Sequence, residues 1–365
     1  MPLFALGFRP FYLLAGAYAA LSVPLWAAQH AGWLHGANLL WHAHEMLFGY
    51  AFAVIAGFLL TAVRNWTGLP TPTGAALAAI AALWVAARLL APFSLFLSSI
   101  ADALFAVAVA WGIGRPILAS RNRNWFFIPL VLAIGAASIA FQAWPRLALA
   151  AGLDLVLFIV AVMAGRVVPA FTNSAIPGAG ARRVQALEYL ALGSVLLLLF
   201  LNALEVPPLA GVVALAAAAL HAARLALWAP MKTRGRPILW ILHLSYAWLA
   251  VHLALRGLAA FGLAPVVLAT HALTVGAIGG ITLGMMTRTS RGHTGRPLET
   301  GAAELCAYVL VQAAAVMRVF VPLVVPSAYL LSVALSAALW CAAFAVFTTA
   351  YYPVLSRPRA DGKEG

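Results

Sequence analysis

The chain has 365 residues, of which 65% are hydrophobic and only 8% charged. Soluble domains carry about a quarter charged residues, so a soluble fold is excluded and a polytopic membrane protein is implied. The formal net charge of +13 does not call for a nucleic-acid partner, because basic residues hold loops of membrane proteins in the cytoplasm.

Twelve apolar runs approach the roughly 20 residues that cross a bilayer as helix. They lie near 10–28, 41–63, 73–91, 94–114, 125–143, 146–168, 186–204, 207–229, 237–258, 264–287, 300–321 and 327–350. An all-α bundle of about twelve transmembrane helices follows, read as one integral domain over 1–365. The first residues lack a cleavable signal pattern, so the first run is read as a retained span. With both termini cytoplasmic, eighteen of the 22 Lys and Arg residues fall at cytoplasmic ends, and only Arg88, Arg146, Arg256 and Arg318 fall at outer ends. Trp26, Trp33, Trp41 and Trp144 then lie near the outer interface, and Trp66, Trp111, Trp125 and Trp228 near the inner one. The second, sixth and tenth helices end alike, in Gly57 to Thr61, Gly165 to Thr172 and Gly284 to Thr287, which hints at three four-helix repeats. Cys306 and Cys341 sit in apolar runs without metal-like spacing and read as buried thiols.

Polar residues inside apolar runs need a partner and an inward face. The run Trp41-His42-Ala43-His44-Glu45 puts two histidines just inside the outer interface. His271 lies roughly 10 Å below that surface at 1.5 Å per residue, and His252 is at a similar depth on the preceding helix. His221 and His243 are nearer the cytoplasm and read as hydrogen-bonding groups. His30 and His35 belong to an outer loop and His293 to an inner one. His42 and His44 are about 200° apart on a regular helix, so one metal cannot take both. His42 shares its face with Glu45, one turn on. Gly276, Gly280 and Gly284 form a small-residue packing stripe on the tenth helix. Asp102 and Asp154 are read as partners of a buried arginine or hydroxyl, with a proton path or transport site as the alternative. Converging histidines suit haem iron, which takes axial imidazoles in an apolar slot, or copper, which also accepts thioethers such as Met46 or Met285. No phosphate loop, zinc-protease motif or serine elbow is present.

Several runs resemble the NnrS family of bacterial membrane proteins. They are Gly7-Phe8-Arg9-Pro10-Phe11, Trp41 to Met46 with Phe48-Gly49, Ala56 to Val63, Asn65-Trp66-Thr67-Gly68, Gly165 to Asn173, His271 to Ala277 and Gly292 to Leu298. The resemblance implies an inner-membrane protein associated with haem and copper and a role in the response to nitric oxide, often alongside denitrification. It supplies no ligand assignment. A looser likeness exists to the catalytic subunits of haem-copper oxidases and nitric oxide reductases, which hold a haem between histidines of helices 2 and 10. The copper-binding histidines of those enzymes, on helices 6 and 7, have no counterpart here.

The expectation is therefore a haem-binding, and as a second metal copper-binding, bacterial inner-membrane protein that protects against nitric oxide. His44 and His271 are expected as axial ligands, and His42 and His252 as a second metal site or as orienting groups. Arg288, His293 and Arg296 form an inner basic cluster suited to haem propionates or, more simply, to cytoplasmic retention. The expected partners are the lipid bilayer and nitric oxide. The alternatives are a transporter of a metal, haem or small anion, and a redox enzyme acting on nitric oxide with an unidentified electron donor.

Overall fold

The computed structural model describes residues 1–34 and 39–363; His35 lies outside them. Among the described residues the secondary structure is helical, with no strand. This is what a bilayer demands of a chain whose backbone polar groups must be satisfied within each segment.

Among the described residues, eleven helices are long and apolar enough to cross a membrane, and a shorter apolar one, Gly74–Leu90, makes twelve. In chain order they are α1 (Phe8–His30), α2 (Leu39–Thr67), α3 (Gly74–Leu90), α4 (Leu95–Ala119), α5 (Arg123–Ala140) and α6 (Pro145–Ala175). Then follow α7 (Gln185–Ala203), α8 (Pro207–Leu227), α9 (Pro237–Ala260), α10 (Val266–His293), α11 (Ala302–Val324) and α12 (Pro326–Ser356). Each coincides with one of the twelve apolar runs. Proline opens α6, α8, α9 and α12, where its missing N–H costs nothing. Gly68 closes α2 in the left-handed conformation (φ 70°), its N–H bonded to the Arg64 carbonyl, as a helix C-terminus favours. Ser94 caps α4 by accepting from the Leu97 N–H.

Two of these helices contain a π-helical stretch. In α2 it runs Glu45–Ala51 and in α10 Ala272–Gly279. His44 immediately precedes the first and His271 the second. Such stretches are rare and are concentrated at functional sites.

The chain forms two compact units. The first comprises Met1–Gly152, Met286–Leu298 and Phe347–Gly365; the second comprises Leu153–Met285 and Glu299–Val346. The similar endings of α2 and α6 share a local device: Thr61 donates to the Gly57 carbonyl and Thr172 to the Val168 carbonyl, each one turn back.

The first unit is centred on Phe8, Phe11, Tyr12, Phe48, Phe52 and Phe105, all fully buried. Its N-terminal and C-terminal segments meet: Arg9 donates from Nη1 to the Leu355 carbonyl at 2.9 Å and the Arg357 carbonyl at 2.7 Å. That contact places both ends of the chain on one side of the bundle, as an even number of spans requires. The second unit buries Trp228, Tyr246 and Tyr308. The glycine stripe of α10 serves it as the spacing predicts. A side chain at Gly276 would meet Trp248, at Gly280 Ser245 and Gln312, and at Gly284 Leu242 and Ile241.

Trp228 is fully buried at the end of α8, beside Tyr246 and Arg224. One expectation needs correction. Cys306 is exposed and Cys341 half-buried, both as free thiols; an apolar surface in lipid does not drive a thiol inward. Trp33, Trp111, Trp125 and Trp144 are exposed, as interfacial rings should be.

The basic residues at the outer ends also find their explanation. Arg88 is held by Asp102 at 2.8 Å, Arg256 by Asp154 at 3.0 Å, and Arg318 lies over the Tyr329 ring. Arg146 is exposed. Three of the four exceptions to the basic-inside pattern are thus tied down by a partner within their own unit.

Candidate functional site

In the first unit, the polar groups gather around His44. Its ring is fully buried, and Phe48 and Phe141 pack on it with centroids at 5.0 and 5.3 Å. Nδ1 lies 2.8 Å from Glu45 Oε1, and Nε2 lies 3.1 Å from the hydroxyls of both Ser99 and Ser138. Glu45 is equally buried and is shared by the Arg88 Nε, at 2.6 Å, and the Tyr18 hydroxyl. Arg88 also grips both oxygens of Asp102 at 2.8 Å. The π-helical stretch makes room for this: a side chain at Gly49 would meet Arg88 and Tyr18. Trp84, one turn before Arg88, donates to the Gly49 carbonyl.

The partner of Glu45 is therefore His44, not His42. His42 instead stacks on Trp26 with centroids 4.1 Å apart, and Trp26 stacks in turn on His30 at 5.1 Å.

In the second unit, His252 is buried on α9. Its Nδ1 lies 2.8 Å from the Ala269 carbonyl, two residues before His271. A carbonyl only accepts, so Nδ1 carries the proton and Nε2 the lone pair. That Nε2 is buried without a hydrogen-bond partner. His271 follows the same rule, with Nδ1 2.7 Å from the Val267 carbonyl one turn back. His252 and His271 thus lie in one unit, on packed neighbouring helices, each pinned through Nδ1.

His221 accepts from the Tyr246 hydroxyl at 2.6 Å and donates to the Ala191 carbonyl. Beside it, Arg224 grips Glu188 at 2.9 and 3.1 Å. His243 pairs with Thr172 at 2.9 Å. Asp154 accepts from Asn202 and Arg256. These groups form structural networks, as the sequence suggests for His221 and His243.

The inner basic residues Arg288, His293 and Arg296 belong to the first unit. His293 rests its ring near Phe8 and gives its carbonyl to Arg359 at 2.9 Å. Arg296 donates to the Thr294 carbonyl, which also accepts from Ala360 N–H. Arg288 is largely buried. The segment serves to clamp the C-terminal tail, a role the sequence patterns did not reveal.

These observations test which residues fit a haem or a copper ion. Among the described residues no group of three or more His, Cys, Asp or Glu is placed to hold a metal ion. Haem brings four nitrogen donors of its own and asks for one or two imidazoles. His44 does not fit, since both of its nitrogens are engaged. His252 fits: a buried imidazole anchored through Nδ1, with an unpartnered Nε2, is the state in which histidine binds iron. His271 has the same anchorage.

The NnrS protein family model matches residues 2–359. A comparison with curated proteins gave no match. With nearly the whole chain matched, the protein belongs to the NnrS family.

Proposed function

We propose that this chain is a haem-binding protein of the bacterial inner membrane that acts in the response to nitric oxide, with His252 and His271 as the iron ligands. The reading rests on one observation above all, the buried, unpartnered Nε2 of His252. Membership of the NnrS family supports the nitric oxide role. Iron ligation is thereby assigned to the second unit, and His44 is released from it. When bound, haem iron supplies the centre that takes up nitric oxide. The chain's residues hold it: the Ala269 and Val267 carbonyls fix the two rings and raise the basicity of their outer nitrogens. Nitric oxide is small and neutral, so it reaches such a site through the lipid without a polar pore.

The test is an absorption spectrum with iron and copper analysis on protein purified in detergent from haem-replete cells. A Soret band and iron are expected, lost in His252→Ala and His271→Ala and kept in His44→Ala. Colourless protein without iron would overturn the reading and favour transport.

A further inference from the structure

Three arginines inside the helices are matched to acids. Arg88 has Glu45 and Asp102, Arg224 has Glu188 and Arg256 has Asp154. Arg318 of α11 is not. Among the described residues no carboxylate forms an ion pair with it. The residue is only 4% exposed, and its Nη1 is buried without a hydrogen-bond partner. What it does have is Tyr329 of α12, with the hydroxyl 3.5 Å from Nη2 and the ring centroid 5.3 Å from the guanidinium carbon. An aromatic face attracts a cation but does not neutralise it. A buried cation in an apolar helix calls for a counter-charge, and here the chain supplies none.

The surroundings indicate what does. Arg318 is six residues before Val324, the last of α11, and so roughly 9 Å from the end of the helix read as outer. Tyr329 lies beyond the connecting turn, so the guanidinium over its ring reaches toward that end, as long cationic side chains do. Ser336 of α12 donates to the Ala314 carbonyl of α11 at 2.8 Å. One turn farther outward on these two antiparallel helices come Ser332 and Arg318, at a common level. Ser332 is fully buried and donates to the Tyr329 carbonyl at 2.7 Å. A guanidinium accompanied by hydroxyls is a donor set for an oxyanion, and phosphate suits it best. Val324, Val325, Leu330 and Leu331 beside it are exposed, an apolar rim of the kind that acyl chains cover.

We propose that Arg318 and Tyr329 form a binding site for a phosphate group, supplied by a phospholipid of the outer leaflet whose chains lie along that rim. Tyr329 is half-buried, and the phosphate reaches the guanidinium as its ring turns aside. A free phosphate ion would offer the same charge but would leave the rim bare. The site is independent of the iron-binding reading.

Thermal unfolding of the full-length protein in delipidating detergent tests this, with three additions: phosphatidylglycerol, a galactosyl diacylglycerol that lacks phosphate, and inorganic phosphate. Phosphatidylglycerol should raise the wild-type midpoint by about 3 °C more than the galactolipid does. The difference should vanish in Arg318→Gln and persist in part in Arg318→Lys, which keeps the charge. Should Arg318→Gln fail to fold, the contrast between the two lipids on wild type and Arg318→Lys still decides. Equal shifts with both lipids, or an Arg318→Gln response like that of wild type, overturn the proposal. A shift as large with inorganic phosphate alone overturns the lipid as the source.

Discussion

Arg224 of α8 fills the space that a side chain at Gly165 of α6 would need. A Cβ there would run into the guanidinium and would also lie 2.9 Å from Glu188 Oε2. Gly165→Ala must therefore push apart a buried ion pair, which costs about 3 kcal/mol. Gly193, on α7, has no atom within 4 Å of its Cβ position, so Gly193→Ala should be neutral or slightly stabilising. Thermal unfolding of both variants in one detergent checks the contrast.

Thr61 ties the start of α1 to α2. Its hydroxyl accepts from the Phe8 N–H and donates to the Gly57 carbonyl, both at 2.8 Å. Thr61→Val keeps the shape and strands the buried N–H, at a cost of about 1–2 kcal/mol. Thr61→Ser should restore most of it. The measurement is the unfolding midpoint of the two variants against wild type.

Gln312 of α11 bridges two residues of α9, accepting from Trp248 Nε1 at 2.8 Å and donating to the Ser245 hydroxyl at 2.9 Å. Gln312→Leu leaves the buried indole N–H without its acceptor, and a loss of about 1–2 kcal/mol is expected. An unchanged midpoint would show that the indole N–H finds another acceptor.

The C-terminal tail carries a pH-dependent clamp outside the membrane. Asp361 accepts two bonds from Arg359, and these bonds hold its carboxyl below the usual carboxylate range. A carboxylate depressed in this way stabilises the fold above its unfolded value of about 3.9. The contribution is lost as pH falls through the folded value. The Ala360 N–H, bonded to the Thr294 carbonyl, should therefore stay protected from hydrogen exchange at neutral and weakly acidic pH. Protection should fall only below about pH 4. Asp361→Asn should expose it at neutral pH, and salt should weaken the clamp at every pH, since exposed pairs are screened.

Much of this was legible along the chain. Length and apolarity marked where each of the twelve helices begins, because a bilayer sets a minimum run, while α4, α6, α10 and α12 continue past the ends of their apolar runs. Asp102 and Asp154 declared a buried cationic partner, since an acid in an apolar helix needs one. The spacing of Gly276, Gly280 and Gly284 announced a close helix contact. The family was legible in motif runs from Gly7 to Leu298.

The pairings were not legible. Helical periodicity aligns His42 with Glu45, yet His44 takes that carboxylate. The reason is the π-helical stretch starting at Glu45, which changes the phase of α2 without changing its composition. Nor does sequence tell a saturated imidazole from an unpartnered one. His44 and His252 both read as membrane histidines toward the outer side, and only their neighbours separate them.

The sequence by itself determined that this chain crosses a membrane about twelve times, which family it belongs to and which side chains are costly to bury. Those properties follow from transfer free energies and from residue spacing. The tertiary structure alone decided which acid meets which base and which ring nitrogen keeps a lone pair. Such choices depend on distances of a few ångströms between helices far apart in the chain.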